Sequence, residues 1–178
     1  MKNIKDILVW GKDFLKNKGI DSPLLDTEII LSKVLSREKS YIYAYPEYII
    51  PEEKVKIIKN MIYRRGRRIP LSYIINEKEF YGNIFYVEKG VFTPRPETEI
   101  LVEEVIKIIN KDYSDKKVNL YEIGLGTGAI SVTVALKVPH ISIVGCDISQ
   151  KALLVTRKNL IRYNLQNKVK IIRTMDFI

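Results

Sequence analysis

The 178-residue chain is poor in the residues that mark several protein classes. It has one cysteine, Cys146, so no intramolecular disulfide framework is available, and the reading is a reducing, cytoplasmic setting. It has one histidine, His140, beside Pro139, with no metal-ligand spacing around it; a surface turn is expected there. No uninterrupted apolar run approaches the ~18 residues that span a bilayer. The first 18 residues scatter Lys and Asp through an amphipathic pattern, without the apolar stretch and cleavage site of a secretory signal. Acidic residues are also in deficit, 21 against 30 Lys and Arg, for a net charge of +9. Residues 1–78 carry 16 of those cations against 10 acids, +6. Such a surface steers association with acidic or phosphate-rich partners but confers little specificity. With 46% hydrophobic and 29% charged residues, the composition is that of a folded globular chain.

The chain changes texture twice. Up to about residue 75, apolar residues recur at 3–4-residue spacing (Ile4, Ile7, Leu8, then Phe14, Leu15), which predicts buried helical faces. Gly19 ends the first helix. Ser22-Pro23 opens a second, with Ser22 at the N-cap; Ser40–Ala44 is a short third, and Pro51 opens a fourth that runs to the cluster Arg64, Arg65, Arg67, Arg68. That cluster reads as a solvated helix end, and Tyr41, Tyr43, Tyr45 and Tyr48 as packing between short helices or a partner surface. From residue 76 to 96, Phe80-Tyr81 and Ile84–Val87 flank Gly82-Asn83, a hairpin pattern, and Thr93-Pro94-Arg95-Pro96 is extended. Glu97–Asn110 reads as an amphipathic helix. The remainder alternates strand 118–123, helix 129–137, strand 141–146, helix 149–163 and strand 169–173, which implies a parallel sheet.

Glu122-Ile123-Gly124-Leu125-Gly126-Thr127-Gly128 lies at the first strand-to-helix turn. Glycines there let the backbone approach a ligand, and the following helix presents free N–H groups. Asp147, 23 residues after Gly124, ends the second strand, where a carboxylate can bond both ribose hydroxyls of an adenosine. The plainer alternative is a glycine turn with Asp147 capping the next helix. Dinucleotide loops favour G-x-G-x-x-G with a pyrophosphate at the helix end. The G-x-G-x-G spacing here, with anionic Glu122 two residues ahead, suits the sulfonium and amino group of S-adenosylmethionine better.

Two runs resemble the HemK/PrmC family of glutamine methyltransferases. Residues 122–130, Glu-Ile-Gly-Leu-Gly-Thr-Gly-Ala-Ile, look like the family's first motif, with Glu122 and Leu125 as mild departures. Thr93-Pro94-Arg95-Pro96-Glu97-Thr98-Glu99 is similar to its more specific proline-arginine signature. The resemblance implies an α/β chain made of a helical substrate-recognition domain (1–75), a β-hairpin linker (76–96) and the first part of a class I, Rossmann-like methyltransferase domain (97–178). It implies S-adenosyl-L-methionine contacts from Gly124, Leu125, Gly126, Thr127 and Gly128, with Glu122 beside them and Arg95 at the pocket mouth. Asp147 would hold the ribose, and Phe177, next to Asp176, would lie by the adenine. The implied reaction is methyl transfer to the amide nitrogen of the Gly-Gly-Gln glutamine in class 1 peptide-chain release factors, without direct nucleic-acid binding. An N6-adenine methyltransferase of DNA or RNA and a non-catalytic binding fragment are the competing readings. The family's Asn-Pro-Pro-Tyr does not occur in residues 1–178. On that ground the chain is expected to be catalytically inactive alone; separately, the class I strand order, in which the first strand is central, leads to the expectation that 118–123 is an unpaired edge here and that the chain associates in solution.

Overall fold

The computed structural model describes residues 3–114 and 116–174, which divide at Ile75/Asn76 into two compact units. Phe177 and Asp176 lie outside the described residues.

The first unit holds α1 (Ile4–Asn17), α2 (Pro23–Leu35), α3 (Lys39–Ala44), α4 (Glu52–Gly66) and α5 (Leu71–Ile75). The side chain of Asn3 caps α1 by accepting the Asp6 N–H at 2.8 Å. Ser22 stands at the N-cap of α2, but its side chain makes no cap bond; Pro23 at the first helical position fixes the start instead. Ile4, Ile7 and Leu15 of α1, Ile30 and Leu31 of α2, and Val55, Ile58 and Ile62 of α4 form one core. The arginine cluster is not simply a solvated helix end. Arg65 donates to the buried Asp26 of α2 at 2.6 Å and to the Ile69 carbonyl, and Arg68 donates to the Gly19 carbonyl at 3.3 Å. A carboxylate buried on α2 needs such a cation. Of the tyrosines, Tyr41 packs at a tilt on Tyr45 and edge-on to Tyr48, while Tyr43, Tyr45 and Tyr48 remain exposed.

The second unit opens with a hairpin, β1 (Glu77–Phe80) and β2 (Asn83–Tyr86), followed by α6 (Thr98–Asp112). The turn sits one residue earlier than the sequence predicts. Tyr81 and Gly82 both have positive φ, 50° and 70°, as a two-residue type I′ turn requires. Tyr81 tolerates this because its N–H donates to Glu99 of α6 at 2.8 Å and its carbonyl accepts from Asn83 Nδ2 at 2.9 Å. Glu99, the last residue of the proline-arginine signature, thus fastens the hairpin tip.

The rest is β3 (Val118–Ile123), α7 (Ala129–Lys137), β4 (Ile141–Asp147), α8 (Gln150–Arg162) and β5 (Val169–Arg173). The strands pair parallel in the order β3-β4-β5, Val118 opposite Ile141 and Ile143 opposite Val169. Phe80 and Phe85 of the hairpin are buried with Val102 and Ile109 of α6, Val132 and Val134 of α7, and Ile143 of β4. Among the described residues β3 pairs with β4 alone. On the sheet face away from α7, Tyr121 is 74% exposed and Ile123 68%. His140 is half-buried rather than a free surface residue, and its Nε2 has no partner among the described residues. No helix of the described residues is long and apolar enough to cross a membrane.

Candidate functional site

The carboxyl end of β3 runs directly into the glycine loop. The Gly124 and Leu125 N–H groups both donate to the Cys146 carbonyl, at 2.9 and 3.0 Å, which fixes the loop to the end of β4. Leu125 then turns inward. It is buried, and its Cδ atoms lie so close to Gly145 that a Cβ there would overlap them. Leu125 is therefore a packing residue whose side chain anchors the loop to the sheet. Cys146 is buried beside it, its thiol pushed up by burial, its Sγ 3.5 Å from the Glu122 carbonyl.

Gly128 closes the loop at φ +74°, its N–H donating to the Leu125 carbonyl at 2.7 Å. A Cβ there would stand 2.7 Å from Thr156 Cγ2, so the position has neither the conformation nor the room for a side chain. Thr156 in turn donates to the Gly126 carbonyl at 3.1 Å. The loop is held from below by α8 and opens upward.

Glu122 is buried at the end of β3 and reaches the start of α7, where its Oε2 accepts the Ser131 N–H at 2.9 Å and the Ser131 hydroxyl. A carboxylate at a helix amino terminus complements the dipole. Burial nevertheless pushes its pKa up to about 7, with the nearby Asp147 charge adding to the rise and the Ser131 bonds opposing it. The direction has a consequence for stability. A carboxyl whose pKa rises from 4.5 to about 7 on folding keeps a proton that the unfolded chain releases. The stabilisation is fully present below pH 4.5 and is lost as pH climbs through about 7. Glu122→Gln retains an acceptor for Ser131 without the charge. Denaturant melts between pH 5 and 8 are expected to show a flatter pH dependence in this variant and greater stability at pH 8. Parallel curves for the two proteins would contradict that account of Glu122.

Asp147 ends β4 with both carboxylate oxygens engaged: Oδ2 accepts the Gly126 N–H at 2.9 Å, and Oδ1 accepts the Ser149 N–H at 2.8 Å. The α8 cap is Ser149, whose Oγ accepts from Ala152 N at 3.3 Å, so Asp147 is not the helix cap of the plainer alternative. Each oxygen has a second lone pair free to accept a hydroxyl.

Glu122 and the glycine loop bound a cleft of about 260 Å³ lined by Phe92, Pro94 and Thr98 on one wall and by Glu122, Gly124–Thr127, Ala129 and Ile130 on the other; Asp147, bonded to the Gly126 N–H, and Gly128 are not in its lining. Drug-sized ligands fill roughly 300–1,000 Å³, so the cleft encloses only part of one. The first-turn N–H groups of α7 have no acceptor within the helix. Arg95 is exposed, its guanidinium 5.1 Å over the Phe92 ring, at the rim rather than in the lining. The sequence reading placed the proline-arginine signature at the pocket mouth but did not single out Phe92, Pro94 and Thr98 as lining residues. Pro94 and Thr98 belong to that run and Phe92 stands just ahead of it.

Residues 83–176 match the methyltransferase small domain model, and residues 6–75 match the PrmC N-terminal domain. The chain belongs to the methyltransferase small-domain family. Its arrangement, a PrmC N-terminal domain followed by a methyltransferase small domain, agrees with the HemK/PrmC resemblance and with a class I, Rossmann-like α/β fold. A release factor glutamine methyltransferase of Clostridium botulinum is 34% identical over 96% of this chain and 59% of its own length. One of Fusobacterium nucleatum is 39% identical over 91% of this chain and 45% of its own length. The chain thus spans about half the length of the curated relatives it matches. Among solved structures, a SAM dependent methyltransferase from Agrobacterium tumefaciens superposes with a TM-score of 0.45 at 18% identity, covering 54% of this chain and 31% of that one.

Proposed function

We propose that this methyltransferase chain binds S-adenosyl-L-methionine in the glycine-loop cleft. The protein it serves methylates the side-chain amide nitrogen of the Gly-Gly-Gln glutamine in class 1 release factors, in the cytoplasm. The observation that carries the reading is the combination of a PrmC N-terminal domain with this loop in one chain, shared with relatives named release factor glutamine methyltransferases.

The residues present fit the cofactor. Gly124, Gly126 and Gly128 have positive φ and no side chain above the loop, so the backbone of 124–128 can approach a ligand closely. Glu122 lines the cleft, and although burial raises its pKa to about 7, a cationic amino group or sulfonium beside it would favour the ionised carboxylate, where a pyrophosphate would oppose it. The free lone pairs of Asp147 suit a pair of vicinal hydroxyls. Arg95 on Phe92 shapes the rim. When bound, the cofactor supplies an electrophilic methyl on a sulfonium, and the protein contributes chiefly orientation. The residues of this chain would hold the donor. None of them is assigned to gripping the amide, since no Asn-Pro-Pro-Tyr occurs in residues 1–178.

The substrate assignment has a direct test. The gene product, offered a class 1 release factor and duplex DNA with methyl-labelled S-adenosylmethionine, is expected to label the release factor at its Gly-Gly-Gln glutamine and leave DNA unlabelled. Equal or greater label in DNA would favour adenine methylation and overturn the proposal.

A further inference from the structure

One buried polar side chain lies outside the cleft lining yet bonds both the glycine loop and the segment that leads into the opposite wall. Asn159 sits on α8, wholly inaccessible to solvent. Its Oδ1 accepts the Tyr86 N–H at 2.7 Å, and its Nδ2 donates to the Tyr86 carbonyl at 3.0 Å and the Thr127 carbonyl at 2.9 Å. The amide thus pairs with Tyr86 as a neighbouring strand would, while its second N–H holds the glycine loop. Tyr86 leads through Val91 into Phe92, Pro94 and Thr98, one wall of the cleft; Thr127 lies in the other.

The surroundings point the same way. One turn earlier, Thr156 bonds the Gly126 carbonyl. Val91 packs on Ala152 and Val155, and Glu88 pairs with Lys151 at 3.0 Å and Lys158 at 3.7 Å. All of these partners are on α8. Thr156 grips only the loop, and the others grip only the 86–91 segment. Asn159 bonds both the loop and the 86–91 segment from one side chain.

Resting on the cofactor reading above, we propose that Asn159 is a positioning residue: it sets the spacing between the Phe92–Thr98 wall and the glycine loop, and through that spacing the affinity for the methyl donor. The informative substitution is Asn159→Asp. An ionised carboxylate keeps the bond from Tyr86 N–H but faces the Tyr86 and Thr127 carbonyls with no donor, so the walls part. Protonation restores one O–H donor, so low pH rescues the brace in part.

The experiment uses this chain, with S-adenosylhomocysteine as the probe. Amide hydrogen exchange is measured without ligand and affinity by calorimetry, each from pH 5.5 to 8, beside a core control, Val169→Ala, remote from the cleft. For Asn159→Asp at pH 8, exchange at Tyr86 and across 92–98 is expected to rise, and affinity to fall about tenfold or more relative to the control. Both changes should shrink toward pH 5.5 once the wild-type pH profile is divided out. Unchanged exchange across 92–98, or an affinity loss no greater than the control's, would overturn the proposal. A wild-type chain that ignores the probe would instead count against the cofactor reading, leaving hydrogen exchange to decide whether Asn159 holds the walls.

Discussion

Gly128→Ala is expected to destabilise the second unit by roughly 2–5 kcal/mol, the sum of a left-handed Ala penalty of about 1–2 kcal/mol and an overpacking cost of about 1–3 kcal/mol. The first cost arises because Gly128 has φ +74°, where a Cβ crowds the following carbonyl. The second arises because that Cβ would stand 2.7 Å from Thr156 Cγ2 and 3.3 Å from Oγ1, on a helix that cannot retreat without breaking the Asn159 and Thr156 bonds. The two costs separate experimentally. Thr156→Ser removes the methyl and keeps the hydroxyl bond to the Gly126 carbonyl. In the double variant, denaturant melts should recover the overpacking part and leave the φ part, giving a favourable coupling of about 1 kcal/mol or more in a double-mutant cycle. Strict additivity would show that the loop relieves the clash by moving, not by pressing on α8.

Asp147→Ala should weaken binding of S-adenosylmethionine or S-adenosylhomocysteine ten- to a hundredfold. A hydrogen bond to a charged group contributes about 1.5–3 kcal/mol, and each 1.4 kcal/mol is a factor of ten. The structure adds a second effect. Asp147 holds the Gly126 N–H within the loop and the Ser149 N–H ahead of α8, so removing it frees two backbone donors as well as the ribose acceptor. Gly126 and Ser149 are both half-buried, so their N–H groups can turn to water, and the stability loss is expected to be about 1–2 kcal/mol. Affinity should therefore fall by more than stability does. A variant that melts several degrees lower yet binds as well as the wild type would leave Asp147 with the loop-fixing role alone.

Much of the second unit was legible from the sequence because its signals are local. The strands at 118–123 and 169–173 and the helix at 129–137 fall where apolar alternation, Gly128 and Pro139 place them. Glu122 and Asp147 stand out in the sequence because a strand end, a glycine run and an acidic residue at set spacing constrain one another. What the sequence concealed is where side chains turn. At Leu125 the sequence suggests a contact through the loop backbone but does not show that the side chain packs on Gly145, a contact that leaves no room for a side chain at that strand position. Arg65 reads as one of four solvated arginines, yet pairs with Asp26, 39 residues away, and no local pattern reports such a pair. Asn159 could have been flagged. It continues the buried face set by Ala152, Val155 and Thr156, and a polar residue on such a face needs partners. Those partners, Tyr86 and Thr127, are distant in the chain.

The central claim is that the loop 124–128, Glu122 and Asp147 form a site for a cationic nucleoside methyl donor. Calorimetric titration of the chain with S-adenosylhomocysteine, and separately with NAD, tests it most directly, with Asp147→Ala alongside. The account predicts one-to-one binding of S-adenosylhomocysteine, a ten- to hundredfold loss in the variant, and NAD binding far weaker than either. NAD binding as tightly as S-adenosylhomocysteine, or S-adenosylhomocysteine binding unchanged in Asp147→Ala, would contradict it.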